Sequence, residues 1–372
     1  MSRQVLTAAQ VFDGTALHDD MAVVIQDGRI LDLIPRPAGP DPDAGILMPG
    51  FVDLQVNGGA GLMVGAQTDA AALARICAAH AGLGCAGILP TLITDRPEVT
   101  ARVLEAGIAV ARDGVPGFLG LHLEGPHLAP SRAGAHDPAL IRPMDDRDLA
   151  QLIAARAALP ALMVTVAPEA VRPDQIAAMA AAGITVSLGH SDATLAMAQT
   201  CFAAGARAVT HLFNAMSPLG HRQPGLVGAT LAGDAAAGLI ADGIHVDPAA
   251  LRIALRARPT GLFLVSDCMA VAGTAEDAMM LQGRRVLRRD GRLTLADGTL
   301  AGADLRLDRA IRTVVAAGAP LARALAMATS IPAGLIGAPL GHIRPGAPAR
   351  LIRLDADLHL ADAVGGAGQS GT

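Results

Sequence analysis

Two short stretches, VSLGHSDAT (residues 186–194) and VTHLFNAM (residues 209–216), decide the fold of this chain. Each begins with strand-forming residues and reaches a histidine, His190 or His211, just where small and polar residues take over. The residues between the two stretches have a helical composition. Successive parallel strands that each present a polar side chain at the carboxyl end are typical of a (β/α)8 barrel, whose functional face lies there. We therefore predict that both imidazoles face the mouth of a barrel.

A third side chain of the same kind follows another predicted strand. The segment GLHLEGPH (residues 120–127) places Glu124 at a strand end. Two histidines and one carboxylate leave one tetrahedral position open for water, which is the pattern of catalytic rather than structural zinc. We predict that Glu124, His190 and His211 bind one divalent metal ion per chain. Zinc is the expected ion, and iron and cobalt are alternatives because the same ligands suit all three.

The middle of the chain alternates between strand-like and helix-like segments. Its alanine-rich segments end in glycine, as helices do, and no GxGxxG motif follows the first strand, which disfavours a dinucleotide-binding sheet. The prediction is an α/β protein with a TIM-like (β/α)8 barrel. The predicted barrel strands are Phe51–Val56, Gly87–Leu92, Gly117–Leu123, Ala161–Ala167, Thr185–Leu188, Ala208–His211, Gly238–Ala241 and Leu262–Ser266.

Both ends of the chain predict a second, smaller domain. Short strand-like runs flank an Asp27-Gly28 turn near the start, and strand-like runs return near the end. Two further Asp-Gly pairs, at 290–291 and 297–298, indicate a β-hairpin inserted before a last helix. The predicted organisation is a small β-sandwich domain from residues 1–48 and 343–364, a barrel over 49–342 with a hairpin around 278–300, and a flexible tail at 365–372.

Composition excludes several classes of function. The net charge is −5, and aromatic residues make up 2% of the chain with no Trp or Tyr, so nucleic acid is not an expected partner. No uninterrupted apolar run approaches the ~20 residues of a membrane span. The four cysteines show no paired spacing and the N-terminus shows no signal-peptide pattern, so we expect a cytoplasmic protein. The chain has no lysine, which excludes lysine-based catalysis or a lysine-bridged metal pair.

Asp267 is the candidate general base. It ends the hydrophobic run LFLVSD, where a barrel strand would deliver it to the same mouth as the three metal ligands. A metal-bound water has its pKa lowered toward ~7, and a nearby carboxylate can accept its proton and later return it. The alternative for Asp267 is the N-cap of the following segment. Other polar residues at predicted strand ends are Gln55, Asn57, Asp242 and His245.

Seven motifs follow one another along the chain: MPGFVDLQVNG (48–58), LHLEGPH (121–127), LGHSDAT (188–194), THLFNAM (210–216), PGLVGA (224–229), ADGIHVD (241–247) and LVSDCM (264–269). Taken in this order, they resemble the amidohydrolase superfamily and, within it, the N-acetylglucosamine-6-phosphate deacetylases. The resemblance covers nearly the whole chain, including the divided β domain. The first strand carries Gln55-Val56-Asn57 where binuclear members carry His-x-His, so the resemblance implies the branch with a single metal ion.

The resemblance also implies individual roles. Glu124, His190 and His211 would bind the metal and Asp267 would activate the water. His136 would polarise the acetyl carbonyl, a role that its own loop sequence does not suggest because a loop histidine is more often on the surface. The implied substrate contacts are His245 to a sugar hydroxyl, Asn214 and Ala215 to the phosphate, Arg222 to the phosphate from a neighbouring subunit of a homodimer, and Gln55 and Asn57 along the pocket or around a water.

The expected reaction is hydrolysis of the acetamide of N-acetylglucosamine 6-phosphate to acetate and the amino-sugar phosphate. One alternative in the same fold is the galactosamine epimer, which the sequence does not distinguish. A deaminase or cyclic amidase is less favoured because aromatic residues for stacking are scarce. A binding protein without catalysis would have no use for Asp267. His127 is either an additional hydrogen-bond donor behind the site or a loop residue, and the loop residue is the favoured interpretation. Cys268 is interpreted as a packing residue.

Overall fold

The computed structural model describes residues 3–38 and 45–364, so the predicted tail at 365–372 lies outside the described part. Strands and helices are numbered in chain order. The strands are β1 Arg3–Thr7, β2 Gln10–Phe12, β3 Leu17–Asp19, β4 Met21–Gln26, β5 Arg29–Pro35, β6 Ile46–Pro49, β7 Phe51–Val56, β8 Gly58–Gly59, β9 Leu62–Met63, β10 Cys85–Ile93, β11 Leu121–Glu124, β12 Leu162–Val166, β13 Thr185–Leu188, β14 Ala208–Val209, β15 Ala236–Leu239, β16 Leu262–Leu264, β17 Ala278–Leu281, β18 Arg284–Arg289, β19 Arg292–Thr294, β20 Leu300–Ala303, β21 Leu351–Leu354 and β22 Leu360–Val364.

Most helices lie between the strands of the central sheet. Several begin with a capping aspartate or with proline. Several also end two residues before a glycine, as the alanine-rich segments predict. The helices are α1 Ala70–Gly82, α2 Pro97–Arg112, α3 Asp146–Ala158, α4 Pro173–Ala181, α5 Leu195–Ala203, α6 Gly225–Ala232, α7 Pro248–Ala257, α8 Leu307–Ala316, α9 Leu321–Met327 and α10 Ser330–Ile336. Within the described ranges, no helix combines the length and the hydropathy that crossing a bilayer requires.

The central sheet is a barrel of eight parallel strands in the order β7, β10, β11, β12, β13, β14, β15, β16. The ends close through backbone hydrogen bonds just beyond β16: Asp267 N–H donates to the Gln55 carbonyl at 3.0 Å, and Asn57 N–H donates to the Cys268 carbonyl at 3.0 Å. The barrel prediction is therefore confirmed. These two hydrogen bonds also fix the backbone at Asp267, so barrel closure itself positions a residue of the candidate site.

Several barrel strands are shorter than the sequence predicts. The strand expected over 117–123 begins only at Leu121, because Gly117 and Gly120 have φ values of +84° and +134° that interrupt extended backbone. The strand expected over 208–211 ends at Val209, and His211 already lies in a left-handed turn with φ +31°. His190 and His211 thus sit on the turns after their strands, whereas Glu124 is the last residue of β11.

The smaller β domain is built from both ends of the chain, as predicted. One sheet has the order β1-β4-β5 and the other has the order β22-β21-β6-β2-β3. Their facing side chains form a separate apolar core, and the turn between β4 and β5 has positive φ at Asp27 and Gly28, as the Asp-Gly signal indicates. Members of this core include Val11, Val23, Ile30, Leu47, Ile343 and Leu351.

The insertion is larger than the predicted hairpin. Strands β17 to β20 form a four-stranded antiparallel sheet in sequence order, which extends to Ala303. Its first turn, Gln282-Gly283, has φ values of +45° and +82°, the geometry of a tight two-residue turn. The sequence prediction missed this turn because glutamine is not a usual residue for a left-handed position.

Candidate active site

A cavity of about 260 Å³ opens at the carboxyl ends of the barrel strands. All the predicted site residues except Gln55 and Arg222 line it, and residues of the inserted sheet form part of its wall. The lining comprises Asn57, Ile93, Glu124, Gly134, Ala135, His136, His190, His211, Asn214, Ala215, Ile240, His245, Asp267, Met269, Leu281, Thr299, Leu300 and Gly302.

Glu124, His190 and His211 converge on one point inside this cavity. Oε1 of Glu124 lies 2.9 Å from Nε2 of His211 and 3.1 Å from Nε2 of His190, and the two Nε2 atoms are 3.1 Å apart. All three side chains are buried. These are the residues predicted from the sequence as metal ligands, and they form a cluster that can hold a metal ion.

The proton arrangement at His190 shows that the cluster fits a cation. Nδ1 of His190 lies 2.8 Å from the carbonyl oxygen of Arg132, which only accepts, so Nδ1 carries the proton. When the ring is neutral, Nε2 then has no proton, and its lone pair faces the carboxylate oxygen of Glu124. Two lone pairs at this distance repel each other, and a cation between them removes the repulsion. A ligating histidine typically donates its other N–H to a carbonyl in this way.

The charge state of Glu124 favours a cation as well. Burial alone would raise the pKa of this carboxyl, but its close contacts with the two imidazoles outweigh burial and hold its pKa well below 4.5. For His211 burial acts to lower the pKa, and the contact with Glu124 more than compensates and raises it above 6.5. An ionised carboxylate is therefore available as a ligand at neutral pH.

Asp267 lies beside this cluster and is buried in a polar pocket. Its Oδ1 accepts hydrogen bonds from Asn57 Nδ2 at 2.7 Å and Gln55 Nε2 at 3.1 Å. Burial, and then the negative charge of Glu124, raise the pKa of Asp267 to about 7. A cation held by the cluster would lower the pKa of Asp267, because its positive charge favours the ionised carboxylate. The side chain is thus held in place by neutral donors and can exchange a proton near neutral pH.

Gln55 and Asn57 tie the carboxylates together. Nε2 of Gln55 lies 3.3 and 3.2 Å from the two oxygens of Glu124 and also reaches Asp267. Gln55 does not line the cavity, so its contacts are with the two acids, whereas Asn57 lines the cavity and also bonds Asp267. These amides explain how two carboxylates remain close together in a buried site.

His136 lies inside the cavity and not on the surface, where its loop sequence alone would place it. It is 5% exposed, and its ring centroid is 4.4 Å from that of His190. Burial lowers the pKa of His136 to about 3. The ring is therefore neutral and has one N–H to donate. Sequence reasoning found this residue only through the family resemblance.

His245 is held by an acid on the turn after β15. Its Nδ1 lies 2.7 Å from Oδ2 of Asp242, whose other oxygen accepts from the N–H groups of residues 244 and 245. Burial would raise the pKa of Asp242, but these hydrogen bonds, led by the one with His245, lower it. The ionised Asp242 orients the ring of His245, which leaves Nε2 facing the cavity.

Asn214 and Ala215 lie on the turn after His211. Ala215 has φ +48° and Phe213 has φ +81°, so this turn is tightly wound in left-handed conformations. The Asn214 amide donates to the carbonyls of His211 and Leu212 at 3.3 and 3.4 Å. Both Asn214 and Ala215 line the cavity, while no acceptor among the described residues uses the Ala215 N–H. The turn therefore offers a polar edge to a ligand.

Arg222 does not reach the cavity of its own chain. Residues 221–223 form an exposed loop ahead of α6. The cavity lining, within the residues described, contains no arginine at all. The structure thus leaves Arg222 at the surface, where a second chain can be contacted.

Sequence reasoning missed the buried polar network beneath the site. His122 donates from Nδ1 to the Leu54 carbonyl at 3.0 Å, and its Nε2 lies 2.7 Å from Thr165 Oγ1, which continues through Thr210 to Ser187. Burial lowers the pKa of His122 to about 4, so this ring is neutral. The short apolar-looking strands concealed these contacts, because each hydroxyl finds its partner on a neighbouring strand.

His127 belongs to the structural part of the loop, not to the cavity. It is buried, and its Nδ1 lies 3.1 Å from the Arg142 carbonyl, while Nε2 lies 3.8 Å from Asp148. Asp148, in the first turn of α3, accepts from the backbone N–H of the N-cap Asp145 and pairs with Arg142. His127 therefore joins the loop after β11 to the start of α3.

Known proteins resemble this chain over nearly its full length. Residues 46–371 match the model of the amidohydrolase family. An N-acetylgalactosamine-6-phosphate deacetylase from Shewanella sp. (strain ANA-3) is 38% identical over 84% of this chain and 80% of its own length. An N-acetylglucosamine-6-phosphate deacetylase from Rattus norvegicus is 38% identical over 93% and 90%. The crystal structure of N-acetylglucosamine-6-phosphate deacetylase from Pasteurella multocida superposes with a TM-score of 0.92 at 30% identity, over 97% of this chain and 98% of that one.

Proposed function

Because this chain belongs to the amidohydrolase family, we propose that it hydrolyses the acetamide of N-acetylglucosamine 6-phosphate to acetate and glucosamine 6-phosphate. The observation that carries the proposal is the convergence of Glu124, His190 and His211 beside Asp267 in one cavity. The deacetylases to which the chain is similar support the substrate class, since they act on N-acetylated amino-sugar phosphates.

The metal site is assigned to Glu124, His190 and His211. A divalent cation bound there would lower the pKa of water and polarise the substrate carbonyl. Zinc is the proposed ion because two imidazoles and one carboxylate are a common catalytic zinc set. One ion per chain is proposed, since Gln55 and Asn57 occupy the first strand where further histidine ligands would be needed for a second.

Asp267 is proposed as the general base and, later, the general acid. Its carboxylate takes a proton from the attacking water as the new C–O bond to the acetyl carbon forms. The same proton then passes to the amide nitrogen as the C–N bond breaks, so that the amine leaves as a neutral group. The donors from Asn57 and Gln55 keep Oδ1 engaged, which leaves Oδ2 to handle the proton.

His136 is proposed to stabilise the charge that develops on the acetyl oxygen. The neutral ring donates one N–H to that oxygen, and the bond strengthens as the oxygen gains negative charge. His245, oriented by Asp242, is proposed to contact a sugar hydroxyl. These two histidines lie on different barrel loops, so together they define the orientation of the sugar across the mouth.

The phosphate is proposed to bind at Asn214 and Ala215, with Arg222 from a second subunit. The Ala215 N–H and the Asn214 amide can donate to phosphate oxygens, and an arginine fork matches phosphate geometry. The protein is therefore proposed to act as a homodimer. The four cysteines are free and buried, which supports a reducing, cytoplasmic setting.

The test is an acetate-release assay with the 6-phosphates of N-acetylglucosamine, N-acetylgalactosamine and N-acetylmannosamine, and with unphosphorylated N-acetylglucosamine. We expect the highest kcat/KM for N-acetylglucosamine 6-phosphate, loss of turnover with a chelator, and recovery when zinc is returned. The unphosphorylated sugar should react at least ~10-fold less efficiently, because charge-assisted hydrogen bonds to phosphate contribute about 1.5–3 kcal/mol.

Two results would contradict this reading. A clear preference for the galactosamine epimer would transfer the assignment to that substrate, which the similarity to the Shewanella enzyme also allows. Equal kcat/KM with and without the phosphate would refute phosphate recognition by Asn214, Ala215 and Arg222.

A further inference from the structure

The hydrogen bonds around His136 fix which of its nitrogens carries the proton. The backbone N–H of Thr94 donates to Nδ1 of His136 at 3.3 Å, and the Thr94 hydroxyl lies 2.8 Å from the same nitrogen. A backbone N–H cannot turn its proton away, so Nδ1 has to present a lone pair to it. In a neutral imidazole the proton is then on Nε2. Since Nδ1 is occupied by Thr94, Nε2 is the nitrogen left for a ligand in the cavity that His136 lines.

The loop that carries His136 and the segment that carries Thr94 are both held by the inserted sheet. The turn Gln282-Gly283 between β17 and β18, together with Arg284 at the start of β18, is called the hairpin tip here. Gln282 Nε2 donates to the Thr94 carbonyl at 2.9 Å, and Arg284 donates to the Ala135 carbonyl. The tip thus bonds one residue on each side of the His136–Thr94 contact. Leu281, next to the tip, lines the cavity itself.

The backbone geometry of the hairpin tip allows both of these hydrogen bonds to form. Gln282 and Gly283 have φ values of +45° and +82°, a tight turn that fixes the direction of the two side chains relative to the strands. Val286 and Leu293 on the same sheet are fully buried and anchor it. The tip is therefore anchored by a buried core and bonded to two segments at the barrel mouth.

We propose that Thr94 and the hairpin tip are positioning residues that hold His136 as the Nε2–H tautomer aimed at the substrate carbonyl. This inference rests on the proposed function, in which His136 donates to the acetyl oxygen. With the proton on Nδ1, the ring would instead turn a lone pair toward an oxygen that is gaining negative charge. The contribution of the hairpin tip should therefore appear in kcat more than in KM, because the donor acts mainly on the transition state.

The tautomer is tested by NMR on protein labelled with ¹⁵N-histidine and loaded with zinc. The His136 signals are identified by their absence in His136→Asn. We expect shifts of an unprotonated Nδ1 and a protonated Nε2 in the wild type. Thr94→Val, which keeps the backbone N–H but removes the hydroxyl, should retain the tautomer with a shifted Nδ1 resonance, and Thr94→Ser should restore that resonance. A protonated Nδ1 in the wild type would overturn the inference.

The positioning role is tested by a double-mutant cycle. Gln282→Ala combined with Arg284→Met should lower kcat by about 10-fold, a fraction of the 10²–10³ that one oxyanion donor contributes, and should leave KM within about 2-fold. The matched control is Arg285→Met, a neighbouring exposed arginine on β18, which should leave kcat unchanged.

In the His136→Asn background the same tip substitutions should have no further effect on kcat, because the group that they position is gone. An equal loss in both backgrounds would show that the tip only stabilises the loop and would overturn the positioning role. Absence of acetate release by the wild type would instead contradict the proposed function, and the NMR result would still decide the tautomer.

Discussion

Three of the proposed catalytic and metal-binding residues have left-handed backbone conformations. His190, His211 and Asp267 have φ values of +48°, +31° and +48°. Such a conformation costs roughly 1–2 kcal/mol per non-glycine residue, and it persists where the surrounding structure enforces it. At a strand end it turns the side chain back over the barrel mouth. The strain thus serves to bring two imidazoles and a carboxylate together.

The first prediction concerns Asp267. Asp267→Asn should lower kcat by on the order of 10² or more, because the amide cannot accept the proton of the attacking water. In the wild type kcat should fall as pH is lowered through the pKa of Asp267, since only the ionised carboxylate acts as a base. Burial and Glu124 raise this pKa from 3.8 to about 7, and a bound cation lowers it, so the midpoint should lie between these two values. The measurement is the pH profile of kcat for the wild type and for Asp267→Asn.

The control for Asp267→Asn is Asp247→Asn. Asp247 is an exposed cap of α7, and asparagine caps helices as well as aspartate does. This variant should retain the wild-type profile. If Asp267→Asn kept near-normal turnover with the same acidic limb, the general base would have to be another residue.

The second prediction concerns the metal ligands. Purified protein should contain about one divalent ion per chain, measured by inductively coupled plasma mass spectrometry. His190→Asn should lose most of the ion, because the remaining two ligands bind far more weakly and the Arg132 carbonyl loses its donor. Asp267→Asn should retain the ion and serves as the matched control. Two tightly bound ions in the wild type would contradict the single-metal site.

At the scale of elements, the entry to β11 depends on Gly120. Its φ is +134°, and a Cβ there would lie 1.9 Å from the carbonyl oxygen of Ala161, which belongs to the neighbouring strand segment. Because Gly120 has no Cβ, the backbone just before β11 can approach the backbone at Ala161 closely. β11 carries Glu124, so this close approach also sets the position of a metal ligand.

The third prediction follows from that contact. Gly120→Ala should destabilise the protein by more than about 4 kcal/mol or prevent soluble expression, because backbone atoms cannot move aside as flexible side chains can. Gly114→Ala is the matched control: φ is +65° and the added Cβ meets nothing within 4 Å. It should cost only about 1–2 kcal/mol. The measurement is urea unfolding together with soluble yield; equal effects of both variants would show that the close approach does not matter.

Strand and helix periodicity were sufficient to predict the barrel and the divided β domain. The alternation of short apolar strands with alanine-rich helices has few other solutions. The inserted sheet was only partly predicted, because its first turn uses Gln282 in a left-handed position and no Asp-Gly signal marks it. Strand ends were predicted too long wherever residues such as His211 turn while their sequence still resembles a strand.

The candidate site was predicted unevenly for a physical reason. Glu124 ends β11, and His190 and His211 lie two residues beyond the ends of β13 and β14. Since parallel strands deliver their carboxyl ends to one edge, local sequence was enough to place the three together. The partner of His136 is Thr94, which is 42 positions away on another loop. Only the tertiary arrangement of these loops brings Thr94 to the ring, and no local pattern signals it.

At the scale of the whole molecule, the charge of the cavity is incomplete for the proposed substrate. A sugar phosphate carries close to two negative charges at neutral pH. The chain has no lysine, and no arginine is found among the described residues that line the cavity. Arg222 is exposed on the loop before α6. A second copy of the chain that supplies Arg222 would complete the phosphate site, which is how the proposed homodimer would serve catalysis.

The fourth prediction tests whether Arg222 acts across subunits. Arg222→Met should raise KM for the phosphorylated substrate by about 10- to 100-fold and leave the rate with the unphosphorylated sugar unchanged, because a charged hydrogen-bond pair is lost.

Arg222→Met and Asp267→Asn chains are then co-refolded in equal amounts. A hybrid dimer has one site with Asp267 from one chain and Arg222 from the other, so about a quarter of all sites should regain wild-type kcat/KM. Each parent refolded alone is the control. If Arg222 served its own chain, no hybrid site would contain both residues and activity would not return, and a monomer in sedimentation would contradict the proposed homodimer directly.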